Sequence, residues 1–334
     1  MSRVSRGGRR FPAVAATLLL LAGCAGHSRL VETTGPAGLP PQVELTATPF
    51  HPQSDQQCGP AALATVLGAA GHDASPASLS QEIFLPARQG SLQPEIVAAI
   101  RTRGLLPYEL EGDLGTLFAE VAAGRPVLVL QRQGFGPWPA WHYAVVVGYD
   151  ATRDLVTLRS GTRERLQLRA AVFDATWSRA DRWAVVALEP GTLPARTDLT
   201  RYLRAAAGLE ATQRYEEARA AYDAAATQWP YEPLPRLGSA NVEAALGHWH
   251  EAERKYAAVL RLAPGLAAAI NNRAEALSRL GCRTLALRVL DDGAARLAPD
   301  EPLRPTLTRT LAAIEASPPP ADGEPALCAQ LQVR

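Results

Sequence analysis

The pattern of apolar and polar positions changes near residue 190 and predicts two differently built halves. In the first half, segments with apolar residues at helical spacing precede short apolar, β-branched runs that are typical of strands. We predict helices near 76–84, 93–103 and 114–122, and strands near 126–131, 142–149, 155–159, 164–168 and 182–189. Because helices come first and neighbouring strands follow, the pattern predicts an α+β domain over residues 45–190.

The second half repeats itself with a period of 34 residues. Ala218, Ala252 and Ala286 are spaced by this period, and Tyr222 and Tyr256 follow the first two alanines by four residues. A small residue where two helices cross, with a large residue behind it, resembles the tetratricopeptide repeat. This resemblance implies an all-α solenoid that binds a protein partner. The predicted units are 199–232, 233–266 and 267–300, and a capping helix near 303–315 completes an array over 199–315.

The first residues are predicted to direct the chain to the cell envelope. Residues 1–23 combine a basic start with a short apolar run, as secretion signals do. The sequence Leu-Ala-Gly-Cys ending at Cys24 resembles the lipobox of bacterial lipoproteins, which implies cleavage before Cys24 and lipidation of its thiol. The residue after the cysteine, Ala25, is not an aspartate. By the same resemblance, this favours an outer-membrane lipoprotein that faces the periplasm. Residues 24–44 are predicted to form a flexible tether.

Composition excludes several classes of function. The chain has 334 residues, of which 20% are charged, and a net charge of +1. A charge so close to neutral does not attract nucleic acid, so we expect no nucleic-acid partner. Lys255 is the only lysine, and it follows Glu253 and Arg254 rather than a glycine-rich loop, which excludes a phosphate-binding P-loop. We expect no metal and no organic cofactor.

Cys58 lies where a polar, turn-rich loop runs into an apolar, alanine-rich segment. Leu63, Val66 and Leu67 share one helical face, and Pro60 falls in the first turn, where a helix accepts proline. The pattern therefore places Cys58 at or just before a helix N-terminus. The unpaired amides and the dipole of that helix end stabilise negative charge, which favours the nucleophilic thiolate.

A cysteine nucleophile needs a base, and His142 is the best candidate. It begins an apolar, β-branched run that ends near Asp150 and predicts a central strand with His142 at its start. The other histidines lie in less suitable contexts, namely the tether (His27), a loop (His51), a turn (His72) and the helical half (His248 and His250).

The two motifs together resemble the papain-like cysteine peptidases, and more narrowly the bacteriocin-processing, double-glycine leader peptidase family. The shared features are Gln-x-x-x-x-Cys-Gly-Pro-Ala, which starts at Gln53, and the strand that starts at His142. The resemblance implies that Cys58 attacks a peptide carbonyl, that His142 moves the proton, and that Gln53 and the Cys58 N–H hold the oxyanion. The family glutamine lies six residues before the cysteine and Gln53 lies five before, so Gln56 and Gln57 remain alternatives.

The third catalytic position departs from the family. The expected Asp or Asn falls on Ser160, which can accept a hydrogen bond from an imidazole but carries no charge. Asp150 is the nearest carboxylate, at the far end of the His142 strand and about 26 Å away. Three arrangements stay open: a Cys-His-Ser triad, a dyad, or a third residue from elsewhere.

The remaining aromatic and cysteine residues give two further hypotheses. Trp138 and Trp141 precede His142 and either form an apolar wall for substrate or cap the core. With Cys24 lipidated and Cys58 catalytic, Cys282 and Cys328 are left to form a disulfide in an oxidising periplasm. Residues 191–198 are predicted to be a linker, and 316–334 a proline-rich tail.

These features predict a lipid-anchored envelope peptidase that hydrolyses a peptide or protein substrate and binds a protein partner through its repeats. The alternative is an inactive adaptor lipoprotein that keeps the peptidase fold and binds peptides or proteins. The neutral third position sustains this alternative, and the sequence does not define the substrate.

Overall fold

The computed structural model describes residues 38–53, 56–134, 140–318 and 323–332. The predicted signal sequence and the predicted lipidation site Cys24 lie outside these residues. A sheet-containing domain is followed by an all-helical array, which confirms the predicted fold class.

An antiparallel sheet of seven strands forms the centre of the first domain. The strands are β1 (Gln42–Glu44), β2 (Leu106–Glu109), β3 (Val127–Gln133), β4 (Ala140–Asp150), β5 (Leu155–Ser160), β6 (Arg163–Arg169) and β7 (Ala184–Leu188). Their order across the sheet is β2-β7-β3-β4-β5-β6, with β1 paired to the end of β4. The five strands predicted from alternation and β-branched residues are all present.

Helices cover both faces of this sheet. They are α1 (Cys58–Ala69), α2 (Pro76–Ile83), α3 (Gln93–Thr102), α4 (Leu114–Ala122) and α5 (Ala170–Ser178). Successive residues of a strand point to opposite faces. Leu128 and Leu130 of β3 accordingly pack with α1, α2 and α3. Val127 and Val129 pack with α4 and α5. The sheet is thus buried on both sides, and α1 lies within the first of the two layers.

Three elements of this domain were not predicted. Strand β1 lies within residues 24–44, which were predicted to form a flexible tether, so that prediction is wrong for the last residues of the segment. Tyr149 also holds this segment, because its hydroxyl donates a hydrogen bond to the Pro40 carbonyl. A Cβ at Gly148 would lie 2.7 Å from the Val43 carbonyl oxygen, so only glycine lets β1 approach this closely. The four residues of β2 include a proline, and α5 lacks a clear apolar period, so neither carries a strong local signal.

The second half is a stack of antiparallel helix pairs. These helices are α6 (Leu199–Ala211), α7 (Tyr215–Gln228), α8 (Pro233–Ala245), α9 (Trp249–Leu262), α10 (Ala267–Arg279), α11 (Arg283–Ala294) and α12 (Arg304–Ala316). Each predicted unit contains one pair, and α12 is the predicted capping helix. Ala218, Ala252 and Ala286 are fully buried, as expected of the small residue at each helix crossing.

The predicted linker over 191–198 is folded against the first domain. The Ala195 N–H donates to the Glu120 carboxylate at 2.6 Å, and the Asp198 N–H donates to the Tyr108 hydroxyl at 3.1 Å. Tyr202 and Leu209 of α6 belong to the same apolar cluster as Tyr108. The first repeat therefore shares a hydrophobic core with the sheet, which a periodicity within either half cannot reveal.

The predicted proline-rich tail ends in a further helix, α13 (Ala326–Gln332). Leu331 is buried in the apolar cluster of the third repeat and the capping helix. Cys328 in α13 forms a disulfide with Cys282 at the start of α11. The end of the tail is thus part of the array. None of the helices in the described part of the chain is both long and apolar enough to span a bilayer.

Candidate active site

Helix α1 presents Cys58 as its first residue. Residues 59–67 are buried between the sheet and helices α2 and α3, so the helix is held rigidly. Cys58 itself is only partly buried and has a free thiol. The sulfur therefore lies at the positive end of a fixed helix, where unpaired backbone N–H groups stabilise a developing anion.

Cys58 opens into a cleft of about 820 Å³. One wall is formed by residues 88–93, and the other by the first residues of β4, including His142. Gln53, Gln56, Leu130 and Gly161 complete the lining. The cleft thus brings together five separate parts of the chain around the two residues that the motifs single out.

His142 is held by Ser160. Its Nε2 lies 2.8 Å from the Ser160 Oγ, and only 6% of the Ser160 surface is exposed. Burial lowers the pKa of His142 below its ordinary value of 6.5. At neutral pH the imidazole is therefore uncharged and able to accept a proton. No described residue bonds to Nδ1, which leaves that nitrogen available on the same side chain.

Asp150 serves a turn at the other end of β4. Its carboxylate accepts hydrogen bonds from the N–H groups of Thr152 and Arg153, both at 3.0 Å, and from the Thr152 hydroxyl at 2.7 Å. These bonds lower the pKa of Asp150, led by the one from the Thr152 hydroxyl. Because this carboxylate is engaged away from the cleft, Ser160 is the residue that occupies the third position beside His142.

Gln53 is bonded to Gly161 from both its backbone and its side chain. Its N–H donates to the Gly161 carbonyl at 3.1 Å, and the Gly161 N–H donates to the Gln53 Oε1 at 3.1 Å. A backbone N–H can only donate, so this contact identifies Oε1 as the acceptor and leaves Nε2 as the donor of the Gln53 amide. Gln56 also lines the cleft, but it is exposed and makes no such bond, and Gln57 does not line it.

Residues 45–184 match the family model described as Peptidase_C39 like family. This domain is similar to the Peptidase_C39-like family, and it is called the C39-like domain below. The match supports a cysteine peptidase or an inactive homologue of one, and it does not include the helical array.

Solved structures resemble each half separately. The C39-like domain is similar to the peptidase domain of Streptococcus ComA, a bifunctional ABC transporter, with 24% identity, 42% of this chain and 98% of that chain covered, and a TM-score of 0.36. It is also similar to a C39-like peptidase from Bacillus anthracis. The identity is 19%, the match covers 44% of this chain and 97% of that chain, and the TM-score is 0.37.

The array is similar to the Yersinia enterocolitica type III secretion chaperone SycD, solved in complex with a peptide of the translocator YopD. The identity is 19%, the match covers 35% of this chain and 92% of that chain, and the TM-score is 0.33. No curated protein sequence matches the chain.

Trp141 is the most exposed large hydrophobic residue of the described cleft lining. It is 56% exposed and lines the cleft, and the Arg132 guanidinium lies 5.8 Å from the centre of its ring. This exposure argues against a cap on the core, and the wall for substrate stays a prediction. Trp138 lies outside the described residues.

The wall formed by residues 88–93 was missed by sequence reasoning. A bridge between Leu85 and Gly90 closes a short loop around a single 3₁₀ turn, Pro86–Arg88. Ser91 then accepts a hydrogen bond from the Tyr143 hydroxyl at its carbonyl oxygen. Proline and glycine in this stretch signal a turn, but no local pattern indicates that the turn faces Cys58.

The chemistry supported by this site is that of a thiol, an imidazole and an amide. No cluster of three or more potential metal ligands occurs in the part of the chain that the structure describes. Of the four side chains predicted for the site, Cys58, His142 and Gln53 line one cleft, and Ser160 is bonded to His142.

Proposed function

We propose that the protein is a cysteine peptidase in which Cys58 is the nucleophile and His142 the base. The observation that carries this proposal is the shared cleft, in which a free thiol at a helix N-terminus accompanies an uncharged imidazole held by Ser160. A free thiol, a neutral base and a positioned amide are the groups that acyl transfer requires.

The reaction proceeds in two steps. His142 accepts the thiol proton at Nδ1, and the Cys58 sulfur attacks the carbonyl carbon of the scissile peptide bond. The Nε2 hydrogen is then donated to Ser160, which keeps the charged imidazolium oriented. Cys58 N–H and the Gln53 amide hold the oxyanion, each donor contributing about 3 kcal/mol.

Collapse of this intermediate breaks the C–N bond, and His142 gives its proton to the leaving amine. A water molecule then attacks the thioester while His142 takes its proton. The second collapse releases the carboxylic acid and returns the proton to the Cys58 sulfur. No step requires a group from outside the chain other than water and substrate.

A peptide probe with a thiol-reactive end tests the nucleophile. Labelling of the full chain is followed by mass spectrometry for wild type, Cys58→Ala, His142→Ala and His72→Ala, the last being a surface histidine paired with Glu189. We expect rapid labelling at Cys58 in wild type and His72→Ala, and a loss of about a hundredfold or more in His142→Ala. Wild-type labelling no faster than that of a free cysteine would refute the peptidase.

The alternative is a peptide-binding adaptor with the same cleft. The observation that favours it is the neutral Ser160, because a hydroxyl stabilises an imidazolium less than a carboxylate does. This function predicts that peptides bind wild type and Cys58→Ala equally and that neither protein cleaves them. Cleavage abolished by Cys58→Ala excludes it.

We further propose that Cys24 anchors the protein to the periplasmic side of the outer membrane and that the repeats bind a protein partner. Several acyl chains on one residue suffice for a stable anchor. Fractionation of cells that produce wild type or Cys24→Ala tests the anchor, with wild type expected in the outer-membrane fraction. Recovery of wild type in the soluble fraction would contradict it.

A further inference from the structure

The cleft carries an unbalanced charge. Arg88 lines one wall, and Arg132 lies against Trp141 on the other. No Asp or Glu side chain belongs to the lining that the structure describes, and the one carboxyl that acts on a lining residue from outside it is that of Glu95, beside Tyr143. A site with charge of one sign and low-dielectric walls concentrates ligands of the opposite charge.

Arg88 has no partner of its own. Among the described residues, its guanidinium makes no ion pair and no hydrogen bond, whereas four arginines of the domain, Arg103, Arg125, Arg165 and Arg182, form ion pairs. An arginine presents several donors in a planar fork that matches a carboxylate. Arg88, with its free and exposed fork, therefore lines a cleft in which a peptide is expected to lie.

The backbone of Arg88 is fixed in advance. Leu85 and Gly90 bond to each other across the loop, with the Leu85 N–H donating at 2.8 Å. The Arg88 N–H donates to the Leu85 carbonyl at 3.0 Å, and Gln89 adopts a left-handed conformation with φ of 50°. A loop that is already ordered loses less entropy when it binds, so the contact retains more of its strength.

We propose that the cleft selects peptides that carry a carboxylate and that Arg88 binds this group. The inference rests on the proposed function, since it names the substrate class of the same site. The carboxylate belongs either to a Glu or Asp side chain or to the C-terminus of the peptide, and the two sources share one chemistry at Arg88.

Matched peptides test the proposal and separate the two sources. Fluorescein-labelled peptides of Ala, Ser and Leu are made with one Glu or with Gln in its place, and each is made with a C-terminal acid or amide. Cleavage is measured with wild type and Arg88→Gln. We expect kcat/KM to favour the carboxylate by about fivefold, as for an exposed ion pair, mainly through KM.

Three controls separate a charge contact from a structural role. Arg88→Lys should retain part of the preference, and added salt should reduce it in wild type. Arg179→Gln removes an exposed arginine that does not line the cleft and should leave the preference unchanged. A preference that depends on whether the chain ends in acid or amide identifies the C-terminus as the source.

Binding to Cys58→Ala keeps this inference distinct from the peptidase proposal. Fluorescence anisotropy compares the same peptides on Cys58→Ala with and without Arg88→Gln. Selective binding without any cleavage by wild type refutes the peptidase and supports the carboxylate site. Equal cleavage of all four peptides overturns the carboxylate site but leaves the peptidase proposal intact. If no peptide is cleaved, equal binding of all four also overturns the carboxylate site.

Discussion

At the residue scale, the imidazole of His142 is oriented by an uncharged hydroxyl. A neutral acceptor fixes the direction of the ring through one hydrogen bond of 2.8 Å, but it adds no attraction for the charged ring. The base strength of His142 is therefore set by its burial alone, which lowers its pKa. In the proposed mechanism, catalysis with this pair depends on geometry more than on electrostatic support from the third residue.

Replacing Ser160 tests this role. Ser160→Ala removes the hydrogen bond and should reduce kcat/KM about fivefold, the worth of one neutral bond. Ser160→Asp supplies a charge and should raise the pKa of His142, so the acid limb of the pH–rate profile moves to higher pH. Unchanged kcat/KM in Ser160→Ala, with an unchanged melting temperature, would show that Ser160 does not orient the base.

The pH dependence of wild type follows from the direction of the His142 shift. Because burial lowers its pKa, the neutral, proton-accepting form persists below the ordinary value of 6.5. The acid limb of kcat/KM should therefore have its midpoint below 6.5, and activity should be lost only as pH falls through that lower value. A midpoint above 6.5, measured by initial rates, would mean that a hidden anion supports His142.

At the element scale, helix α13 is held to the array by covalent and apolar contacts. The disulfide joins residues 46 apart in sequence, and Leu331 is buried beside Leu307 and Ile314 of the predicted cap. The array thus ends in two layers, α12 and α13. The sequence predicts a proline-rich tail in place of α13, because a helix of only seven residues after several prolines has too short an apolar pattern to be recognised.

Removing the disulfide should loosen this end of the array. In the chain-entropy model, opening a loop of this length lowers the free energy of unfolding by about 4 kcal/mol. The double variant Cys282→Ser with Cys328→Ser should melt at a lower temperature, measured by circular dichroism, and α13 should exchange its amide hydrogens faster. Cys58→Ser, which removes the free thiol, serves as the control and should retain the wild-type amide exchange in α13.

At the scale of the whole molecule, the C39-like domain and the first repeat form one hydrophobic core. Arg214 donates to the Thr102 carbonyl at the end of α3, and Tyr202 packs near Tyr108 of β2. Helix α3 also contributes Gln93 to the cleft wall. The repeats are therefore attached to an element that reaches the candidate active site, and we expect the stability of the cleft to depend on them.

Truncation separates the shared repeat from the others. A chain ending at residue 198 exposes the apolar surface that α6 and α7 cover and should unfold at lower denaturant than the full chain. A chain ending at residue 232 keeps the first repeat and should retain most of the stability of the domain. The midpoint of urea unfolding, followed by tryptophan fluorescence, measures both. Equal midpoints for the two truncated chains would show that the interface contributes nothing.

The sequence by itself determined the elements, the repeat period and the pairing of Cys58 with His142 as candidates. These conclusions rest on periodicity and on turn residues, which act over a few neighbouring positions. It also left Gln53, Gln56 and Gln57 as alternatives, because the spacing to Cys58 alone does not separate them.

Only the tertiary structure decided which residues complete the site. Gln53 meets Gly161 from 108 residues away, and Ser160 meets His142 across two strands, so both contacts depend on how the sheet and its loops assemble. The wall that carries Arg88 and the core shared with the first repeat have the same origin. Such contacts join segments that are distant in sequence, and no local pattern of apolar and polar residues encodes them.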